Sequence, residues 1–77
     1  GEKVDARLVI PEGQARELMD AGKQQPDGTV MLRKVDKDWL VRTAAGYAPE
    51  VQVLEPVGVR QEVISLLRRV SQSQEEG

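Results

Sequence analysis

The stretch Asp38-Trp39-Leu40-Val41-Arg42-Thr43-Ala44-Ala45-Gly46-Tyr47-Ala48-Pro49-Glu50-Val51-Gln52-Val53-Leu54-Glu55-Pro56 decides how this chain folds. By residue type it is a helix, a stop, a buried strand, and a proline that opens another helix. Trp39, Leu40, Thr43, Ala44 and Tyr47 share one broad helical face. Asp36 suits the N-cap, Asp38 the first turn, and Gly46 with Pro49 ends the element. With no Phe in the chain, Trp39 and Tyr47 are expected to be wedged into the interior. Val51 and Val53 then share a strand face, and Leu54 points to the other side.

Working outward, Val4 to Ile10 alternate with the period of a half-buried strand, Val4, Ala6, Leu8 and Ile10 facing inward. Pro11 opens an expected helix over 11–21, carried by Ala15, Leu18 and Met19 and capped by a left-handed Gly22. Lys23–Gln25 and Thr29–Val35 form a hairpin around Pro26-Asp27-Gly28, with Val30 and Leu32 in the core. Lys34 would then face the core side, and Met31 and Val35 the other.

Downstream, Val59, Val63, Leu66 and Val70, widened by Ile64 and Leu67, give a helix from Pro56 to about Ser71. This helix is expected to cover the second face of the sheet at Leu54. Its apolar face is wider than one sheet edge requires, so Val59, Val63, Ile64 and Leu67 are the candidate interface residues. The order β-α-β-β-α-β-α gives an α+β fold, a ferredoxin-like βαββαβ sandwich with an added C-terminal helix. One domain over 1–70 and a disordered, wholly non-apolar tail over 71–77 complete the organisation. Gly1 in place of an initiator methionine suggests a piece of a longer protein.

Chemistry is poorly represented. The 77 residues carry a net charge of −2 and contain no His and no Cys. The commonest general base, the usual transition-metal ligands and any disulfide framework are therefore missing. Asp36 and Asp38 resemble a carboxylate pair, but helix capping accounts for them better. Ser65, Ser71 and Ser73 have no histidine to activate them, and Gly13, Gly22 and Gly28 lack the spacing of a phosphate loop. No catalytic residue, metal site or cofactor is expected, and the chain is not expected to be an enzyme. No apolar run approaches the roughly 20 residues that cross a bilayer, so no membrane partner is expected and the cytoplasm is the expected location.

Arg7 and Arg33, on the first and third strands, fall on the open face of such a sheet, where ferredoxin-like RNA-binding domains read single strands. Those domains stack bases on aromatic residues, and no predicted strand here carries one; solvated arginines covering apolar neighbours are the better account. Arg42 stands one turn beyond Asp38 and pairs with it at i, i+4, with anion binding left open.

A strand followed by Asp38-Trp39-Leu40-Val41-Arg42, a helix ended by Gly46, and Val51-Gln52-Val53-Leu54-Glu55-Pro56 before an Arg-containing helix resembles the C-terminal extension (WCX) domain of WYL-type bacterial transcriptional regulators. Asp27-Gly28 ahead of the third strand fits as well, and the likeness spans residues 3–70. The pattern's terminal tyrosine has no counterpart after Val70.

The resemblance implies an N-terminal winged helix-turn-helix for operator DNA and a central WYL domain, both outside this chain, with this domain at the end. It implies inter-domain or dimer contacts with the WYL domain of the same or a partner chain, and a homo-oligomeric regulator. It also implies effector sensing, with single-stranded nucleic acid or another anionic ligand as the effector, and Arg42 matches a basic position of the family's pattern. Arg7, Arg33 and Arg42 are thus the candidate ligand-binding residues. The alternative is a stand-alone small-ligand-binding module of the same fold.

Overall fold

Strand β1 (Lys3–Val9) lies between two antiparallel neighbours, β3 (Val30–Asp36) and β4 (Gln52–Glu55). The three-residue β2 (Gly22–Gln24) pairs with the outer side of β3, giving the sheet order β2-β3-β1-β4. Helices α1 (Arg16–Ala21), α2 (Lys37–Gly46) and α3 (Val57–Glu76) complete the chain. The computed structural model describes the backbone of residues 1–76 and the side chains of residues 1–71. The expected ferredoxin-like α+β sandwich with an added C-terminal helix is what forms.

One core explains the layering. Ala6, Leu8, Val30, Leu32 and Val53 from the sheet share a single buried cluster with Leu18 of α1, Leu40, Val41 and Ala44 of α2, and Val59 and Val63 of α3. All three helices therefore cover one face, and the opposite face is left bare. This corrects the expectation that α3 covers the second face. It packs instead against α2 and β4, on the same side as the other helices.

Two bulges set the side-chain parity. Val4 pairs with Val35 but Ala6 with Leu32, so Asp5 faces two residues, Arg33 and Lys34. Lys34 adopts a left-handed φ of 54°, and its N–H donates to Asp5 Oδ1 at 2.8 Å. The extra residue turns Lys34 off the core face and brings Val35 onto it, where Val35 packs against the core with Val4. The expected assignment of these two residues is thereby reversed. In β4 the register shifts between Glu55, opposite Arg7, and Val53, opposite Leu8, which leaves Leu54 as the unpaired extra residue.

The helix ends depart from expectation for local reasons. The predicted helix over 11–21 shrinks to Arg16–Ala21 because Pro11 begins a turn instead. Its carbonyl accepts from the Gln14 N–H at 3.2 Å, and Gly13 takes the turn's positive φ of 79°. Gly22 is extended, not a left-handed cap. It is needed for closeness: a Cβ there would lie 2.7 Å from Val30 Cγ1 and 2.9 Å from the Met31 carbonyl oxygen. Asp36 caps α2 as expected, accepting from the Trp39 N–H at 2.9 Å. α3 continues through Glu76 instead of ending near Ser71, and Gly77 lies outside the described residues.

Trp39 is the largest correction. It is 37% exposed, while Leu40 is fully buried. The inward stripe of α2 is Leu40, Val41 and Ala44, rotated from the expected one so that Trp39 stands on its flank. Tyr47 does pack against the core, half-buried, with Glu17 beside its hydroxyl raising its pKa.

The scaffolding role assigned to the tryptophan belongs to its neighbour. Leu40→Ala is expected to cost about 2–5 kcal/mol in urea unfolding, and Trp39→Ala clearly less.

Candidate functional site

The described residues present three surfaces on which the sequence candidates fall. The first is the bare sheet face. Arg7 pairs in register with Met31, so both side chains share this face, and Arg33 follows two residues beyond Met31. Lys23, opposite Met31 on β2, joins them. Arg7 and Arg33 are thus brought to one face, as the alternation required.

Arg7 is not free there. Its guanidinium lies 3.6 Å from Asp27 Oδ2 and 3.8 Å from Glu55 Oε2, one carboxylate on each side. Its Nε is buried and makes no hydrogen bond. Asp27 is fixed by the Thr29 hydroxyl at 2.6 Å and the Thr29 N–H at 3.0 Å. The Thr29 hydroxyl, then its N–H, then the charge of Arg7 hold the Asp27 carboxyl below the ordinary aspartate value. Such solvent-screened pairs contribute little to stability. Their effect here is to cancel the field of Arg7, which leaves Arg33 and Lys23, unpaired among the described residues, as the open cations of this face.

The second surface is a notch of about 260 Å³ between α2 and α3, where Arg42 lies with Asp38, Ser65 and Arg69. Because α2 covers the other side of the sheet, Arg42 does not meet Arg7 and Arg33. Among the described residues no ion pair joins Arg42 to Asp38. Near the same seam Lys37 reaches Glu62 at 3.4 Å and Glu2 at 3.6 Å, fastening the start of α2 to α3 and to the head of β1. These two carboxylates, Glu62 foremost, raise the lysine's pKa.

The third surface is a groove of about 360 Å³ between α3, β4 and the loop before β4. Here the candidate interface residues divide. Val59 and Val63 are core residues, whereas Ile64 is 39% and Leu67 36% exposed. Ile64 and Leu67 line the groove with Pro49, Leu54 and Arg60. Val57, 62% exposed, stands on the Ile64 side of α3, while Val70 continues the Val59–Val63 stripe toward the helix end and is exposed there. Sequence reasoning missed Pro49, Leu54, Val57 and Arg60 as parts of this site. Val57 carried a usable signal, since it precedes Ile64 by seven residues and so shares its helical face. Leu54 carried none, because its outward turn comes from the bulge.

Among the described residues no three His, Cys, Asp or Glu side chains gather as a metal site would need, and no helix is long and apolar enough to cross a membrane. The three surfaces offer apolar contact and charge.

The carboxylates set the pH response. The Trp39 N–H and, more weakly, the charges of the chain N-terminus and Lys3 hold Asp36 below its ordinary value, as Thr29 does Asp27. A depressed carboxyl pKa contributes stability above its unfolded value, and that contribution is lost as pH falls through the folded one. Stability is therefore expected to fall below about pH 4. Asp36→Asn, which keeps a cap but does not titrate, flattens that slope when urea midpoints are compared between about pH 6 and about pH 3.

With this geometry in place, comparison with known proteins is specific. The family model of the WCX domain matches residues 2–71. Neither the curated proteins nor the solved structures compared with the chain include a significant match. The family match covers nearly the whole chain and agrees with the fold, so this chain belongs to the WCX domain family, a regulatory domain of WYL-type transcriptional regulators.

Proposed function

We propose that this domain is the assembly and regulatory module of its regulator, and that it acts by packing. The α3–β4 surface takes up a partner surface, supporting inter-domain or dimer contacts with the WYL domain of the same or a partner chain. It carries out no chemistry itself, and operator DNA is read elsewhere in the regulator. The observation that carries this reading is the surplus on α3. Val59 and Val63 already complete the core, yet Ile64 and Leu67 remain exposed side by side on the next flank of α3, with Val57 on the Ile64 side. A lone exposed apolar residue needs no explanation, but Ile64 and Leu67 together lining a groove with Pro49 and Leu54 do.

A second reading places effector sensing on the bare sheet face, through Arg7, Arg33 and Lys23. The unsatisfied Nε of Arg7 favours it. The flanking Asp27 and Glu55 weigh against it, as does the position of Trp39 and Tyr47 on the helical side, away from any base that would stack. Arg42, on that same helical side, would act in a separate place.

The two readings separate experimentally. Ile64→Glu and Leu67→Glu leave the isolated chain folded, by circular dichroism, because both side chains are already exposed. The same changes in the full-length regulator break its assembly in sedimentation; normal assembly of both variants rejects the packing role.

For the second reading, a labelled oligonucleotide titrated into the regulator binds with a steep salt dependence, and Arg7→Ala with Arg33→Ala weakens it. Absence of binding at low salt, or binding indifferent to those changes, eliminates the sheet face as a sensor.

A further inference from the structure

We propose that Asp27-Gly28, at the tip of the β2–β3 hairpin, is a site of spontaneous backbone isomerisation that the folded turn holds as aspartate, and that its conversion to isoaspartate releases Arg7 on the bare sheet face. The site is independent of the packing role.

The reaction needs only the chain and water. The backbone nitrogen of Gly28 attacks Asp27 Cγ. The new N–Cγ bond replaces the bond to the carboxyl hydroxyl, which leaves as water with the amide proton. Water then opens the succinimide ring at the former backbone carbonyl, so that the chain continues through Cγ; opening at Cγ instead restores aspartate. A following glycine leaves the nitrogen unhindered, and residues 27–28 are the chain's one Asp-Gly pair. Asp5 and Asp20 precede alanine, Asp36 lysine and Asp38 tryptophan.

Sterics do not guard this pair. The Asp27 side chain is 53% exposed, and a Cβ at Gly28 would meet nothing within 4 Å. The guard is the hydrogen bonding of the turn. The attacking nitrogen donates its proton to the Gln25 carbonyl at 3.0 Å, and the Gln25 N–H donates to the Thr29 carbonyl at 2.7 Å. Gly28 holds the φ of 89° that this turn requires. Asp27 Oδ1 accepts from the Thr29 hydroxyl and N–H, which draws the carboxyl toward Thr29, and Oδ2 faces the Arg7 guanidinium. Thr29 foremost, and Arg7 after it, keep the group ionised, whereas the form that loses its hydroxyl is the neutral acid. Conversion therefore passes through a local opening of the turn.

Isoaspartate adds one atom to the backbone at the hairpin tip and leaves its carboxylate directly on Cα, shorter by a methylene. That carboxylate no longer reaches both Thr29 and Arg7. Arg7 keeps Glu55 alone and joins Arg33 and Lys23 as a cation of the bare face.

The test incubates the chain at physiological temperature and near-neutral pH beside a synthetic peptide of residues 22–32. Electron-transfer fragmentation separates the two isomers at equal mass. The peptide converts at Asp27, and the folded chain converts at least about tenfold more slowly. Wild type in urea converts at the peptide's rate. Thr29→Val, which removes the hydroxyl and keeps the N–H, speeds the folded chain at least about threefold. Circular dichroism checks that this variant folds; if it does not, the urea comparison decides. A folded wild type as fast as the peptide, or a folded Thr29→Val chain no faster than wild type, overturns the proposal. In the isolated isoaspartyl chain the Arg7 Nε–H resonance moves, and an unmoved signal overturns the release of Arg7.

Discussion

A row of three side chains, Val30–Leu8–Val53, runs across the centre of the sheet, and the rest of the structure is arranged to keep it buried. Leu8 stands opposite Val30 on one side and Val53 on the other, and all three are excluded from solvent. In a domain this small, near the lower limit for folding without disulfides or metals, one continuous apolar row is a large share of the available burial. A slip of one residue in either neighbour would turn its side chain to the bare face. Both bulges lie outside this row. Lys34 is inserted toward one end of β3 and Leu54 is inserted toward one end of β4, so each strand changes parity only after Leu8 has been matched. The N–H at the first bulge is satisfied by Asp5, which lets a non-glycine residue hold the left-handed conformation there.

The helical layer follows from the same row. Leu40 and Ala44 lie over it from α2, Leu18 from α1, and Val59 and Val63 from α3. α1 and α2 pack over β3, and α3 takes the β4 side beside α2, where only part of its apolar circumference finds cover. The exposed flank of α3 is therefore a consequence of topology. A seventh element added to a six-element sandwich reaches the edge of the sheet, and its outward flank is left available for contact.

Much of this was legible in the sequence, and the misses have physical causes. The alternation of β1, the inward Val30 and Leu32, the Asp36 cap and the Val51–Val53 face all follow from local rules, and they suffice for the topology. Size argues for burying Trp39, but the helix phase set by Leu40 and Ala44 decides which residue points inward. Gly13 sits inside the expected helix over 11–21, and its positive φ completes the turn begun at Pro11 instead. Gly22 was recognised as necessary for the wrong reason: it meets the closeness of Val30 and Leu32 across β2 and β3, which no local pattern reveals. Lys34 and Leu54 give no sequence sign of being bulges, since neither is Gly, Asn or Asp. The candidate arginines could be named from the strands, but that Asp27 and Glu55 flank Arg7 depends on a turn tip and a strand end meeting across the sheet.

That last juxtaposition bears on how such a domain can work. With charges nearly balanced overall and Arg7 matched by acids on both sides, the pull of the sheet face on an anion rests on Arg33 and Lys23. The helical edge is different, because apolar contact needs no net charge and does not weaken with salt. On the packing role proposed above, a module of this kind transmits regulation through where it docks, and a change in that docking is a change in how the regulator is assembled.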